Sequence, residues 1–77
     1  MTKLKTLRTQ TDMTQADMAA ACDLSFRSYQ NLEQGRDPID RCKLETLLKI
    51  CECLSCKLSD ILEDETLIAL YEKTHRQ

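Results

Sequence analysis

The sequence predicts an all-α fold, on two observations of composition and one of patterning. The 77-residue chain contains one Gly, one Pro and no Trp. Leu, Lys, Glu, Gln and Thr are frequent, whereas aromatic residues and, apart from Thr, the β-branched residues that favour strands are few. Apolar residues recur at helical spacing along most of the chain. A chain of this length supports one core, so we expect one structural unit without a second domain.

Charge and cysteine content narrow the class of protein. The net charge of -2 at pH 7 disfavours a nucleic-acid partner when taken alone. Its distribution weakens that objection, because residues 1–43 carry a balance of +1 and residues 44–77 a balance of -3. We find neither a membrane span nor a secretory signal, and we expect a cytoplasmic protein with no membrane partner. The five cysteines should then remain reduced thiols.

Two short helices open the chain. Leu4 and Leu7, with basic residues between them, mark an amphipathic helix that residues 11–12 should close. The segment Thr14-Gln15-Ala16-Asp17 resembles a capping box with Asp in its third position, so a second helix begins there. It should end near Asp23, because a short polar side chain tolerates the left-handed conformation.

A third helix follows directly. Ser25 is a good N-cap for it, and Gly35 fits its C-terminal stop. At about 100° per residue, one face of this helix carries Tyr29, Leu32 and Glu33. The opposite face carries the polar residues Arg27, Gln30, Asn31 and Gln34. We therefore expect one face to pack on the core and the other to remain available to a partner.

The second half of the chain should supply the scaffold of the core. Asp40 is expected to cap a fourth helix that keeps a helical period up to Leu54, through Leu44, Leu47, Leu48 and Cys51. The pair Ser55-Cys56 breaks that helix. A short fifth helix then contains Leu58, Ile61 and Leu62, and a last amphipathic helix contains Leu67, Ile68, Leu70 and Tyr71.

Residues 14–35 thus form two short helices joined by a tight turn, and residues 25–35 present a polar outer face. This is the helix-turn-helix arrangement, which places its second helix in the major groove of DNA. Many helical hairpins with this spacing bind no DNA, so the residue identities have to support the interpretation.

These identities resemble the lambda repressor and Cro (XRE-type) family of helix-turn-helix regulators. The likeness runs from Leu4-Lys5-Thr6-Leu7-Arg8 through Leu62 and includes the segments TQADMA, SFRSYQNLEQG and LETLLKI. The chain departs from the family at Asp23 and Ser55, where Gly is preferred, which predicts local backbone strain. The resemblance implies a five-helix DNA-binding domain over residues 1–62 and an additional C-terminal helical extension over residues 63–77.

The resemblance also implies which residues would contact bases. The candidates are Ser25, Phe26, Arg27, Gln30 and Asn31. Arg27 carries donors that suit guanine, and either Gln30 or Asn31 could bond adenine through two hydrogen bonds. Phe26 could pack on a thymine methyl group or belong to the core instead. Which of the five reads a base stays open at this point.

A second set of polar residues would contact the phosphate backbone and fix the register on the duplex. Its members are Gln15, Gln34, Arg36, Arg41 and Lys43. Gln15 lies at the N-terminus of the second helix, where anions bind favourably, and would also orient the residues that read bases. The alternative for each member is an ordinary solvated side chain.

Arg8 and Glu33 invite a catalytic interpretation. In the family that the chain resembles, the matching pair forms a structural ion pair between the first and third helices. We therefore expect it to fix an orientation, since desolvation offsets much of the Coulomb attraction. His75 is the only histidine, which leaves no His-based triad, and we expect neither an enzyme nor a cofactor.

The cysteines offer a rival interpretation as a zinc site. Cys51, Cys53 and Cys56 have a spacing that could bind a metal together with Cys42. Cys51 and Cys53, however, lie about 200° apart on a helix and cannot both face one ion. We expect them to pack as small apolar residues and expect no metal.

The sequence therefore predicts a sequence-specific regulator of transcription that binds double-stranded DNA, acting as a repressor. Two recognition helices about one DNA turn apart would multiply affinity, so we expect a homodimer on a roughly palindromic operator and no small-molecule ligand. The last helix would form the dimer interface through Leu67, Ile68, Leu70 and Tyr71, unless it folds back on its own core. One alternative is a protein-interaction module of the same fold, such as a phage inhibitor or antirepressor, which the acidic net charge favours. Another is an antitoxin that represses its own operon.

Overall fold

The computed structural model describes residues 1–74, which form five α-helices and two 3₁₀ turns. The helices are α1 (Lys3–Thr9), α2 (Gln15–Ala21), α3 (Phe26–Gln34), α4 (Leu44–Leu54) and α5 (Glu65–Thr74), and the turns are Ile39–Arg41 and Leu58–Asp60. Residues 1–74 contain no strand, so the all-α prediction is confirmed. No helix in that range is long and apolar enough to cross a membrane.

The start of α2 and the start of α3 are capped as the sequence predicts. Thr14 Oγ1 accepts the backbone N–H of Asp17 at 3.0 Å, and the Asp17 carboxylate accepts the backbone N–H of Thr14 at 3.0 Å. Ser25 Oγ accepts the backbone N–H of Ser28 at 3.1 Å. Each cap satisfies an amide that has no partner within its helix. These bonds fix where the two helices of the helix-turn-helix begin.

Three residues with positive φ end helices or turn the chain between them. Gly35 ends α3 at φ 77°, a conformation that costs glycine little. Asp23 at φ 56° and Ser55 at φ 51° adopt the same left-handed region without being glycine. The predicted departures from the family pattern therefore lie at strained positions, because a Cβ is disfavoured there.

The prediction that Asp40 caps α4 is wrong. A 3₁₀ turn intervenes, α4 begins after Lys43, and Lys43 makes no side-chain cap bond. The Asp40 carboxylate instead accepts the backbone N–H groups of Glu63 at 2.8 Å and Asp64 at 3.0 Å. Asp40 thus ties the segment before α4 to the segment that leads into α5.

The core lies where the first four helices meet the second 3₁₀ turn. Its most deeply buried side chains include Leu4, Met18, Tyr29, Ile50 and Ile61. The prediction of a short fifth helix through Leu58, Ile61 and Leu62 is wrong, since only the 3₁₀ turn Leu58–Asp60 forms there, and Ile61 and Leu62 are buried just after it. Within the described range, α2 and α3 are thus held on a common support with one side of α3 uncovered.

The last helix joins the core less tightly than the other four. It packs against the 3₁₀ turn at residues 58–60 and buries no residue completely. Leu67, Ile68 and Tyr71 are partly buried, whereas Leu70 is 53% exposed.

Candidate nucleic-acid interface

Helix α3 divides into a buried and an open face, as its sequence predicts. Tyr29, Leu32 and Glu33 are buried. On the other side, Arg27 and Gln34 are exposed, and Gln30 and Asn31 are half-buried. A helix whose polar side is open to solvent over part of its surface can enter a groove of about its own width, such as the major groove.

The N-terminal end of α3 adds two further residues to this face. Ser25 is exposed, and its hydroxyl caps the helix. Its Oγ accepts from Ser28 N–H and donates to the Ser28 hydroxyl at 2.9 Å. Phe26 is 49% exposed, so its ring is not part of the core. An exposed aromatic ring at the first helical position is available to a thymine methyl group or to another apolar partner.

Glu33 is a buried carboxylate with three side-chain donors. It is 1% exposed and forms an ion pair with Arg8, whose Nε and Nη2 bond its two oxygens, the Nη2 contact at 3.3 Å. The Tyr29 hydroxyl donates at 2.6 Å, and Gln15 Nε2 donates at 3.1 Å. Burial opposes ionisation, but these bonds outweigh it and hold the pKa of Glu33 below its usual range. Glu33 is therefore ionised at neutral pH.

The ion pair also joins three elements. Arg8 lies on α1 and donates through Nη1 to the Met13 carbonyl at 3.1 Å, which fixes the turn before α2. Thr2 donates its hydroxyl to the Glu33 carbonyl at 2.6 Å. The hydrogen bond that Arg8 donates to Glu33 raises the pKa of Arg8 above its already high value. The pair thus holds α1, the start of α2 and the end of α3 in one arrangement.

Gln15 lies between this carboxylate and the open face of α3. Its Nε2 donates to Glu33 Oε1, and its Oε1 accepts from Gln30 Nε2 at 3.4 Å. Gln15 is half-buried and has one amide hydrogen left for another acceptor. The exposed Asp17 carboxylate lies at the same helix end, and the Thr14 backbone N–H keeps its pKa below the usual value. A phosphate at this end of α2 would therefore approach a negative charge as well as donors.

The basic residues after α3 lie on exposed backbone beside the helix. The N–H groups of Arg36 and Asp37 both donate to the Asn31 carbonyl, at 2.9 and 3.2 Å, which fixes this loop to α3. Arg41 and Lys43 line an open cleft of about 580 Å³ together with Ser28 of α3.

Several basic residues near α3 form no ion pair within residues 1–74. Lys49, in the same cleft, is bonded to Asp23 at 2.7 Å and to Glu45 at 3.3 Å. By contrast, none of the ion pairs within residues 1–74 involves the cations proposed to meet DNA, Arg27, Arg36, Arg41 and Lys43. Uncommitted cations beside an open helix face are what phosphate contact requires.

Four of the five cysteines form two neighbouring pairs, and Cys42 belongs to neither. The Cys22 thiol lies beside that of Cys53, and the Cys51 thiol beside that of Cys56. Burial raises the pKa of Cys22 to about 11 and that of Cys56 to about 12. Cys51 and Cys53 therefore point to different partners, and nowhere in residues 1–74 do three potential metal ligands come together. His75 lies outside the described residues.

A comparison with protein families now places the chain. The model of the Cro/C1-type HTH DNA-binding domain matches residues 3–66, from α1 into the first turn of α5. The chain belongs to this family. The resemblance inferred from the sequence is thereby confirmed, and the coarse function of this Cro/C1-type protein, a DNA-binding regulator, follows from its membership. Neither the comparison with curated proteins nor the one with solved structures found a match.

Several contacts at this interface were not predicted from the sequence, and two of them show why. Tyr29 and Glu33 are spaced four residues apart on the buried face of α3, a spacing that could have suggested their hydrogen bond. The bond between Gln15 and Gln30 joins residues fifteen positions apart and has no local signal in the sequence.

Proposed function

We propose that this Cro/C1-type protein is a sequence-specific repressor that reads the major groove of duplex DNA with α3. The observation that carries the proposal is the open polar face of α3, backed by a buried network that holds the helix in place. A helix that reads bases has to be rigid as well as accessible. A hydrogen bond to a base edge forms only if the side-chain donor or acceptor is held at the right position and angle.

In this proposal the base-contacting set is Ser25, Phe26, Arg27, Gln30 and Asn31. The phosphate-contacting set is Gln15, Gln34, Arg36, Arg41 and Lys43. The exposure of Arg27, Arg36 and Arg41 supports both assignments, and so does their absence from the ion pairs of the described chain. Arg27 would bond guanine, whereas the cations after α3 would set the register without reading sequence.

The repressor acts, in our proposal, as a homodimer on a roughly palindromic operator. The incomplete burial of α5 supports this proposal, because a second copy could pack on its apolar residues. Leu70 is 53% exposed, and Leu67, Ile68 and Tyr71 are only partly buried. Two copies would place two reading helices on one face of the duplex and combine two short half-sites into one specific site.

Selection from a pool of random duplexes at low salt tests the reading function. We expect one sequence to be enriched, and Arg27→Ala should relax the preference at one base position by roughly 1 to 3 kcal/mol. The matched control is Arg41→Ala, which should weaken all duplexes alike and flatten the dependence of affinity on salt. A pool that stays random after repeated rounds contradicts the proposal.

A protein-interaction module is the second candidate, and two observations favour it. The net charge is -2, and Phe26 exposes an aromatic ring at the start of α3. A protein-binding surface is richer in such rings and poorer in charge than a DNA-binding one. The same selection separates the two functions, since an interaction module would enrich no duplex.

A further inference from the structure

The C-terminal end of α4 brings two cysteines together through the backbone. Ser55 turns the chain at φ 51°, its N–H donates to the Glu52 carbonyl at 3.4 Å, and the N–H of Cys56 donates to the Cys51 carbonyl at 3.1 Å. This pair of bonds around a left-handed residue is the Schellman arrangement, which frequently places two apolar side chains in contact. Here both of those side chains carry a thiol.

The two thiols are hydrogen-bonded to each other. Burial, followed by the charge and the hydrogen bond of Cys51, raises the pKa of Cys56 to about 12. Burial raises the pKa of Cys51 as well, but the hydrogen bond from Cys56 opposes that rise. Cys56 is therefore the donor of the pair, and Cys51 loses its proton first.

Accessibility separates this pair from the other cysteines. Cys51 and Cys56 are both half-buried, whereas Cys22, the neighbour of Cys53, is 2% exposed in the core. A reagent in solution reaches a core thiol only when the chain opens locally. Cys42 is half-buried too, but it belongs to neither pair among the described residues. The end of α4 thus combines access from solvent with a second thiol in contact.

We propose that Cys51 and Cys56 form a reversible redox site, a dithiol that low-molecular-weight disulfides oxidise to an intramolecular disulfide. The Cys51 thiolate attacks one sulfur of the oxidant and forms a mixed disulfide, and the thiolate that leaves takes up the proton from Cys51. Cys56 then gives up its proton and attacks the Cys51 sulfur, so the other half of the oxidant leaves as a second thiol. The protein loses two protons and two electrons, and the oxidant is reduced to two thiols.

The disulfide would fix the turn between α4 and the 3₁₀ turn at residues 58–60. Closing this loop restricts the unfolded chain, and α4 is the helix against which α2 packs. The site would stay reduced in a reducing compartment and close when oxidised thiols accumulate. It requires nothing of the reading function, so the selection from random duplexes can fail without affecting it.

Oxidised glutathione is the probe, applied to the folded full chain at about pH 8.5, where more of a thiol is ionised than at neutral pH. Remaining thiols are alkylated, and proteases specific for Lys, Arg and Glu then separate residues 50–52 from residues 53–57. We expect these two peptides to be linked by a disulfide between Cys51 and Cys56, with the alkyl group on Cys53. This measurement needs no variant, so it is independent of any effect of a substitution on folding.

Serine variants test the order of the two steps. Cys56→Ser should stop after the first step and retain glutathione on Cys51, whereas Cys51→Ser should leave Cys56 unmodified over the same time. The matched control, Cys53→Ser, should form the disulfide as fast as the wild type. Equal glutathione adducts on Cys51→Ser and Cys56→Ser would overturn the order of attack.

Thermal unfolding tests the effect of closure. The oxidised chain should have a Tm higher by roughly 5 °C or more, and dithiothreitol should reverse the shift. Cys51→Ser should show no such difference between the two conditions. A lowered Tm would overturn the stabilising effect. Unlinked peptides, a disulfide that uses Cys53, or glutathione that stays on Cys51 of the wild type would each overturn the redox site.

Discussion

The Tyr29 hydroxyl lies 2.6 Å from Glu33 Oε2, one turn further along α3 and completely inside the protein. Burial, followed by the hydrogen bond to Glu33, raises the pKa of Tyr29 above its usual range, so the hydroxyl is protonated at neutral pH and can donate to Glu33. Together with Arg8 and Gln15 it satisfies the carboxylate, and no buried side-chain N or O atom in the described chain lacks a partner. Helix α3 is thus anchored by polar contacts as well as by apolar packing.

Removing the cation from this network should destabilise the fold. Arg8→Met leaves Glu33 charged and buried with only neutral donors, and we expect the free energy of unfolding to fall by about 3 to 5 kcal/mol. Chemical denaturation measures the change. The exposed Arg27→Met serves as control and should stay within about 0.5 kcal/mol of wild type. An equal, small effect of both substitutions would show that the buried pair has no special energetic role.

Acid should weaken the protein through Glu33. Its pKa in the folded state lies below the ordinary value of 4.5, so the network contributes its full stability above that value. The contribution is lost as the pH falls through the lower pKa of the folded state. We therefore expect the free energy of unfolding to decrease as the pH falls below about 5, measured by denaturation at each pH.

The comparison for acid stability is Glu33→Gln, which cannot titrate. Its free energy of unfolding should be lower at neutral pH and should change less with acidification than that of the wild type. If both proteins lose stability in parallel over the same pH range, the acid sensitivity comes from other carboxylates.

The strained end of α4 offers a stabilising substitution. Ser55 is exposed at φ 51°, where a residue with a Cβ pays roughly 1 kcal/mol or more relative to glycine. Releasing this strain in Ser55→Gly should raise the free energy of unfolding by about 1 kcal/mol. The greater conformational entropy of glycine in the unfolded chain offsets part of that gain. Ser55→Ala keeps the Cβ and should give no gain. A stability of Ser55→Gly below that of Ser55→Ala would argue against strain at this position.

Helix α5 should be needed for dimerisation more than for the core. It buries no residue completely, so a chain truncated after Asp64 should retain a cooperative unfolding transition. Sedimentation should show that this chain is a monomer while the full chain is a dimer. Leu70→Ser in the full chain is a milder variant and should weaken the dimer in the same direction. An unchanged oligomeric state after truncation would remove α5 as the interface.

Much of the fold could be predicted from local sequence signals. This explains why the helix caps were predicted correctly and why the role of Asp40 was not. Capping at Thr14 and Ser25 and the positive φ at Asp23 depend on neighbouring backbone, so the sequence reveals them. Asp40 was misassigned because a good capping residue also binds distant amides, here those of Glu63 and Asp64. Only the tertiary arrangement decides between the two uses.

The sequence predicts which residues share the open face of α3, but not how their side chains are oriented. Helical period places Arg27, Gln30 and Gln34 on one side of α3, and their surroundings in the structure agree with that. The direction of the Gln30 amide follows from Glu33 through Gln15, a chain of contacts between α2 and α3. Sequence periodicity carries no information about such contacts, so the orientation of this amide could be found only in the structure.

Nuclear magnetic resonance mapping of the protein with the selected duplex shows which helix contacts DNA. We expect backbone amide shifts to change most at residues 25–31 and at Gln15, and a scrambled duplex to produce smaller changes there. Exposed amides of α5 should change little apart from effects of dimerisation. Changes concentrated on α5 or on the acidic second half of the chain, with α3 unaffected, would contradict a reading role for α3.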